Sequence, residues 1–261
     1  MKQAGLWSMK FRDVAQLEKL GWDTFWTPGL DGSGALGNVA RLLAAAPEST
    51  VATGVLNIWG QTPRELSDFY AAHSDRLLVG LGIGNAAGAA ARGQDYGNPI
   101  ASMSRYLDQL DIPAERLLLG ALGPKMVDLA VTRTAGWHPF LVTPSYVARE
   151  RARVGNGPLI APHQAVVVGL PPAESRALAR AQIGMFIGFP AYRNNLRRLG
   201  FTDDDLVPGG SDRLIDALVA HGTTSDIADR VLSMLDAGAD HVALHVLGSP
   251  TPTFASVLKE N

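Results

Sequence analysis

Residues Leu117 to Ala130, LLLGALGPKMVDLA, run from an apolar stretch through Gly123 and Pro124 into the first turn of a helix, with Lys125 just past the corner. A helix N-terminus carries unpaired N–H groups and about half a positive charge, the chemistry of a seat for phosphate or another anion. Gly123 lets a ligand approach the backbone, Lys125 adds a cation, and Lys125 and Met126 offer amides. Gly-Pro is also the ordinary chemistry of a tight strand-to-helix turn. Both readings stand on the residues alone.

A second glycine-rich corner, GLGIGNAAGAAARG, spans Gly80 to Gly93. It lacks the G-x-G-x-x-G spacing and a well-placed acid about 20 positions on, which excludes a dinucleotide fingerprint. Its glycines either allow close strand packing or clear space for a flat ring. Trp7, Trp26 and Trp59 fall at strand ends, as core residues or as an aromatic wall around a planar ligand.

Of six histidines, His138 and His245 lie in strands, where each either faces a ligand or is a hydrogen-bonded core residue. His245 shares a strand face with His241 by the period-two rule. His73 and His221 read as helix residues, and His163 precedes a strand. No histidine pair has the i, i+4 spacing with a glutamate that a metal site wants, and no Gly-x-Ser-x-Gly elbow occurs. In AYRNNLRRLG, Arg193 and Arg197 stand one helical turn apart, as a solvated face or as contacts for an anion. Asp203 to Asp205 read as a helix start behind Thr202.

The elements that must position these residues alternate along the whole chain. Apolar strand-length runs fall near Gln3–Ser8, Thr24–Thr27, Val51–Ile58, Leu77–Ile83, Leu117–Leu122, Trp137–Val142, Ala165–Gly169 and His241–Leu247. Runs such as RLLVGLGIG and AVVVG are apolar almost throughout, as in parallel strands covered on both faces. Between them, Thr62-Pro63 and Thr143-Pro144 place an N-cap hydroxyl before a proline, and Ser211 and Thr224 are further caps. The longest departure, Gly188 to Ser211, exceeds a short loop and is functional or partly helical. Eight strands alternating with helices over about 250 residues have the size of a single (β/α)8 TIM barrel, with an insertion before the last helices. A doubly wound open sheet is the alternative.

Composition narrows the rest. The 261 residues are 46% hydrophobic with a formal net charge of -2, enough for one large core over residues 1–261 and without a footprint for nucleic acid or an anionic membrane. There is no cysteine, which removes thiolate chemistry. The opening MKQAGLWSMKF lacks the apolar core of an export signal, and no run reaches ~18 apolar residues, so a cytoplasmic protein is expected.

Four longer stretches, ALGPKMVDLAVTRTAGWHPFLVTPSYVARER, YRNNLRRLGFTDDDL, GGSDRLIDALVAHG and AGADHVALHV, together resemble the luciferase-like monooxygenase superfamily, in particular its actinobacterial branch of probable F420-dependent oxidoreductases. The resemblance covers most of the chain from Gln3 to Leu247. It implies a homodimeric (β/α)8 barrel that binds coenzyme F420, or alternatively FMN, at the carboxyl ends of its strands and passes a hydride to or from a small-molecule substrate. A cofactor-binding barrel without turnover is the other alternative.

Carried over residue by residue, Ala121, Leu122, Gly123, Pro124 and Lys125 match the segment around the cofactor's phosphate and ribityl chain. Thr53 to Asn57 match the third-strand bulge, with a non-proline cis peptide at Gly54–Val55 under the ring. Gly82 to Asn85 match the fourth-strand end, so Gly84 and Asn85 contact the ring or its side chain. His138 and Asn57 are the candidate catalytic residues, and Arg193 the contact for the anionic tail of F420, which FMN lacks. One departure stands out: where related enzymes carry an acid or an Asp-His pair after strand two, this chain reads WTPGLDGSG, with Asp31 the nearest acid.

Overall fold

The computed structural model describes residues 4–7, 14–29, 34–73 and 76–248. Gln3, Ser8, Asp31 and the side chain of Trp7 lie outside them. The chain packs as two compact units, and its first strand, β1 (Ala4–Trp7), belongs through Leu6 with the second.

The first unit alternates α1 (Val14–Lys19), β2 (Thr24–Thr27), α2 (Ala35–Ala45), β3 (Thr50–Thr53), β4 (Leu56–Asn57), α3 (Pro63–His73), β5 (Leu77–Gly82), α4 (Ala86–Ala90), α5 (Pro99–Leu107), β6 (Leu117–Leu119), α6 (Pro124–Arg133) and β7 (Gly136–Trp137). Its strands pair in parallel in the order β2, β3, β5, β6, β7, with β4 also on β5. All six residues of β5 are buried, which is why its sequence shows no polar alternation.

The sheet of this unit curls strongly. Trp26 of β2 and His138, just past β7, stack with ring centroids 4.3 Å apart and planes 17° from parallel. These are the outer strands, and across a flat sheet they would lie roughly 19 Å apart, too far for two side chains to span. Strand register puts Ala52, Gly80, Leu118 and Gly136 on the same concave face, and the small residues among them make room for the stack.

The second unit holds β1, α7 (Pro144–Val154), β8 (Leu159–Ile160), β9 (His163–Val168), α8 (Pro172–Ile183), a 3-10 turn (Gly184–Gly188), α9 (Pro190–Arg198), α10 (Asp212–Leu218), β10 (Val219–Gly222), α11 (Thr224–Asp236) and β11 (Val242–Val246). Four of its strands pair in parallel as β10, β9, β11, β1. Ala165 and Val167 of β9 pack with Ala179 and Ile183 of α8, Leu196 of α9 and Leu214, Ile215 and Leu218 of α10.

The expected caps form at Thr62, which bonds reciprocally with Glu65, at Thr143 and at Ser211. Helix α11 is capped by Thr223 rather than Thr224, because only Thr223 exchanges bonds with Asp226 three residues on. The helix capped by Ser211, expected to include His221, ends at Leu218, and Val219 begins a ladder with Ala165. His221 therefore sits on a strand, its Nε2 2.9 Å from Asp216 Oδ1. The strand expected to reach Val142 stops at Trp137, since Pro139 has no N–H for the ladder. Gly188 to Ser211 contains α9, and Asp203 to Asp205 form a turn rather than a helix, with the Asp205 carboxylate accepting from Thr202 N at 3.1 Å and Ser211 Oγ at 2.8 Å.

Arg151, with 12% of its side chain exposed, ties the second unit together. Nε donates to Gly238 O at 2.9 Å, Nη1 to Gly155 O at 2.7 Å and Pro158 O at 2.9 Å, and Nη2 pairs with Asp240. Asp240 in turn accepts from Ile160 N at 2.8 Å. Arg151→Met strands these acceptors and is expected to cost about 3 kcal/mol. A thermal melt should show a midpoint lower by roughly 5–10 °C.

Candidate functional site

The carboxyl ends of β2, β3, β5 and β6 converge on Val55, just before β4. Ala52 pairs with Leu78 and Leu56 with Leu81, four steps on one strand against three on its neighbour, so the chain bulges by one residue. Thr53, which the sequence offered only as part of a matching segment, bridges the gap: its Oγ1 donates to Gly80 O at 2.9 Å and accepts from Gly80 N at 2.8 Å. The Gly54–Val55 peptide within the bulge is cis, at the bond where the resemblance placed one.

The bulge is fitted tightly. A Cβ at Gly80 would run into Thr53 O, one at Gly82 into Val55 Cγ2, and one at Gly29 into Val55 O; at Gly120 it would lie 3.2 Å from Val55 Cγ2. Of the two readings for the glycine corner, close packing holds at Gly80 and Gly82. After β2 no side chain fits at Gly29, and Asp31 lies outside the described residues.

Gly84 differs. It is exposed, its φ of +60° is a left-handed conformation that favours glycine, and a Cβ there would lie 2.6 Å from Asn57 Nδ2. Asn57 Oδ1 accepts from Trp59 N at 3.1 Å, which fixes the amide and leaves Nδ2 as the outward donor. Trp59, half-buried, donates from Nε1 to Ile83 O at 2.7 Å and faces Tyr96 at 6.1 Å between ring centroids. Gln61 Nε2 donates to Asn57 O at 2.9 Å, and Tyr106 OH donates to Gln61 O at 3.1 Å. Burial pushes the Tyr106 phenol up to about 12, so it stays a neutral donor. Gln61, Tyr96 and Tyr106 had no sequence signal, because only folding brings them beside Asn57.

Asn85, exposed, caps α4, its Oδ1 accepting from Gly88 N at 2.8 Å. At the next corner Ala121 is buried, Leu122 and Gly123 are half-buried, and Pro124 and Lys125 are exposed. Gly123 O accepts from both Met126 N and Val127 N at 3.1 Å. The Met126 amide, expected to be free, is thus spent inside the turn, and Pro124 has none, leaving the start of α6 and the Lys125 ammonium as the positive features.

His138 is 2% exposed and lies flat on the fully buried Trp26. Trp26 is thereby a core residue and Trp59 a rim residue. Arg193 belongs to the second unit, where Nη1 donates to Leu206 O at 2.7 Å and Nη2 lies 3.5 Å from Asp203 Oδ1. His245, also there, places Nδ1 3.0 Å from Nε2 of His163, whose ring packs on Phe140 at 3.9 Å. His163 starts β9 rather than preceding it, and His241 is fully buried. Among the described residues no three His, Cys, Asp or Glu side chains gather as a metal site, and no helix is long and apolar enough to cross a membrane.

No protein-family model and no curated protein matches the chain. Among solved structures it is similar to an F420-dependent secondary alcohol dehydrogenase in complex with an F420–acetone adduct, at 15% identity and TM-score 0.71 over 100% of this chain and 98% of that one. It is similar to the coenzyme F420-dependent tetrahydromethanopterin reductase of Methanopyrus kandleri at 17% identity and TM-score 0.70, over 98% and 95%. It is also similar to the oxygenating constituent of 3,6-diketocamphane monooxygenase of Pseudomonas putida in complex with FMN, at 13% identity and TM-score 0.71, over 99% and 97%. At these identities the shared property is the fold.

Two outcomes follow from the packing. Gly82→Ala and Gly80→Ala should each destabilise by about 1–3 kcal/mol in urea denaturation, through overpacking. Val55→Ala should relieve the first, whose collision is with the Val55 side chain, and not the second, whose collision is with the Thr53 carbonyl. Burial also holds the His245 imidazole down to about 4. The ring stays neutral when folded and takes a proton near pH 6.5 when unfolded, so stability should be full above pH 6.5 and fall by up to about 3 kcal/mol between pH 6.5 and 4. Denaturation across that range should flatten in His245→Gln.

Proposed function

We propose that the chain is an oxidoreductase, a single (β/α)8 barrel over residues 1–261 that holds coenzyme F420 at the carboxyl ends of β4, β5 and β6. There a hydride passes between the 5-deazaflavin and a small organic substrate. The observation that carries this reading is the packing of Gly80, Gly82 and Gly120 against the bulge at Val55, with the Asn57–Gly84 contact two residues further on, in a fold shared with F420-dependent enzymes. The exposed backbone at Gly84, with the Asn57 amide beside it, suits a flat ring. F420, when bound, supplies the carbon that gives or takes the hydride.

The chain's own residues supply position and polarity. Gly54 and Val55 present a rigid backbone surface, locked from below by the glycines of β5. Asn57 donates from Nδ2 to a polar atom of the ring and cannot exchange a proton. Gly84 and Asn85 flank the ring, and Ala121, Leu122, Gly123 and Pro124 line the path to a phosphate met by Lys125 and the start of α6. His138 is the titratable group of the set, and its stack on Trp26 fixes the plane in which it would exchange a proton with substrate oxygen. Packing of Val55 against Gly82 and Gly120 keeps water from beneath the ring. The branch resemblance extends the proposal to a cytoplasmic homodimer.

FMN is the second reading. Arg193, the residue set aside for the F420 tail, is engaged with Leu206 O and Asp203, and one of the solved structures of similar fold named above holds FMN.

The test is separate titration with F420 and FMN, following tryptophan quenching at low and high salt. Binding of F420 alone, weakened by salt and by Lys125→Ala by roughly tenfold, is expected. Binding of FMN alone transfers the reading to a flavin enzyme, and binding of neither overturns both.

A further inference from the structure

We propose that the second unit carries a binding site of its own, for a small carboxylate with an apolar body, between α8, the 3-10 turn that follows it and residues 206–209. A cavity of about 400 Å³ opens there, within the size range of small-molecule sites. Helix α8 runs back from the carboxyl end of β9 and α10 leads into the start of β10, so the cavity lies towards the amino ends of these strands. Of its lining residues the oxidoreductase reading had set aside only Arg193, and the test of the site needs no cofactor.

The walls are apolar with two cations set into them. Met185, Leu206, Val207 and Pro208 supply the apolar surface, Arg180 and Arg193 the polar part, and among the described residues no carboxylate lines the cavity. Met185 is 67% exposed and Val207 43%, two of the four large apolar side chains most exposed among the described residues. Exposed apolar surface gathered around a concavity is surface that a ligand takes from water. At the base the backbone crosses closely: a Cβ on Gly184 would lie 3.0 Å from Gly209 Cα. At Gly188 the reverse holds, with nothing within 4 Å of a Cβ.

The guanidinium groups are anchored but not used up. Arg180 donates from Nε to Gly210 O at 3.1 Å and pairs through Nη2 with Asp212. Arg193 donates from Nη1 to Leu206 O at 2.7 Å, with Nη2 3.5 Å from Asp203. Carbonyl oxygens fix the two planes without neutralising them. Asp212 and Asp203 are 59% and 74% exposed, and ion pairs so placed hold weakly against water. Among the described residues, Arg180 Nη1 and Arg193 Nε have no protein partner. Planar donors of this kind match the two oxygens of a carboxylate, and the apolar walls match a short hydrocarbon body better than a bare inorganic anion.

Calorimetric titration of the full chain with octanoate, octanamide and inorganic phosphate tests this. Saturable octanoate binding with a Kd below roughly 1 mM is expected, with octanamide and phosphate at least about tenfold weaker. Gly188→Phe should fill the cavity and abolish octanoate binding with an unchanged thermal melt. Arg193→Gln should weaken binding by about tenfold. Met185→Glu, at an exposed position, places a repelling carboxylate at the mouth and should give the same loss even if Gly188→Phe does not fold. No saturable octanoate binding up to about 10 mM, equal binding of octanamide, or full binding by a folded Gly188→Phe or Met185→Glu variant overturns the proposal.

Discussion

Backbone meets backbone at Val55, and much of the first unit is arranged around that approach. The carbonyls of Thr53 and Val55 lie where a Cβ of Gly80 or Gly29 would be, and the Val55 methyls lie where one of Gly82 would be. Because the neighbours yield no space, the third-strand segment cannot continue as a regular strand. It bulges, borrows the Thr53 hydroxyl to satisfy both polar groups of Gly80, and resumes pairing at Leu56. The resumption sets the direction of Asn57, whose amide is then fixed by Trp59 N. Glycines after β2 and within β5 are thus the condition for a polar side chain on β4.

The same unit shows how a curved sheet brings remote positions together. A ring from the first of its five ordered strands reaches a ring beyond the last, and the small residues on the concave face allow it. His138 is consequently held by packing as firmly as any core residue. A buried imidazole that is stacked rather than exposed is well oriented and poorly accessible.

How much of this was legible in the chain depends on the range of the cause. The alternation of apolar runs and capped helices was local, and β2, β5 and the caps at Thr62, Thr143 and Ser211 stand where the residues put them. The bulge at Gly54–Val55 was legible through the resemblance, though its packing was not, since Gly29, Gly80 and Gly82 meet Val55 only in three dimensions. β10 was hidden because Leu214, Ile215 and Leu218 keep helical spacing up to the residue where the ladder with β9 begins. The Met126 amide failed as an anion donor for a reason also unreadable from type: the first turn of α6 closes on Gly123 O. Arg193 was read as reaching outward, and the carbonyl it finds lies 13 residues away in sequence.

Arginine chemistry in the second unit divides on that same point. Arg151, 12% exposed, meets three carbonyls and a carboxylate, and a guanidinium satisfied to that degree is a structural tie. Arg230 likewise donates to Ala217 O at 2.8 Å and Asp216 O at 3.1 Å. Arg180 and Arg193, 32% and 30% exposed, each donate to one carbonyl and pair with an exposed acid, and both line the cavity, which among the described residues has no acid of its own. Arg151 has three carbonyls for its donors, whereas Arg180 and Arg193 beside the apolar hollow have one each, so the same side chain is a structural tie at one place and an incompletely satisfied donor at the other.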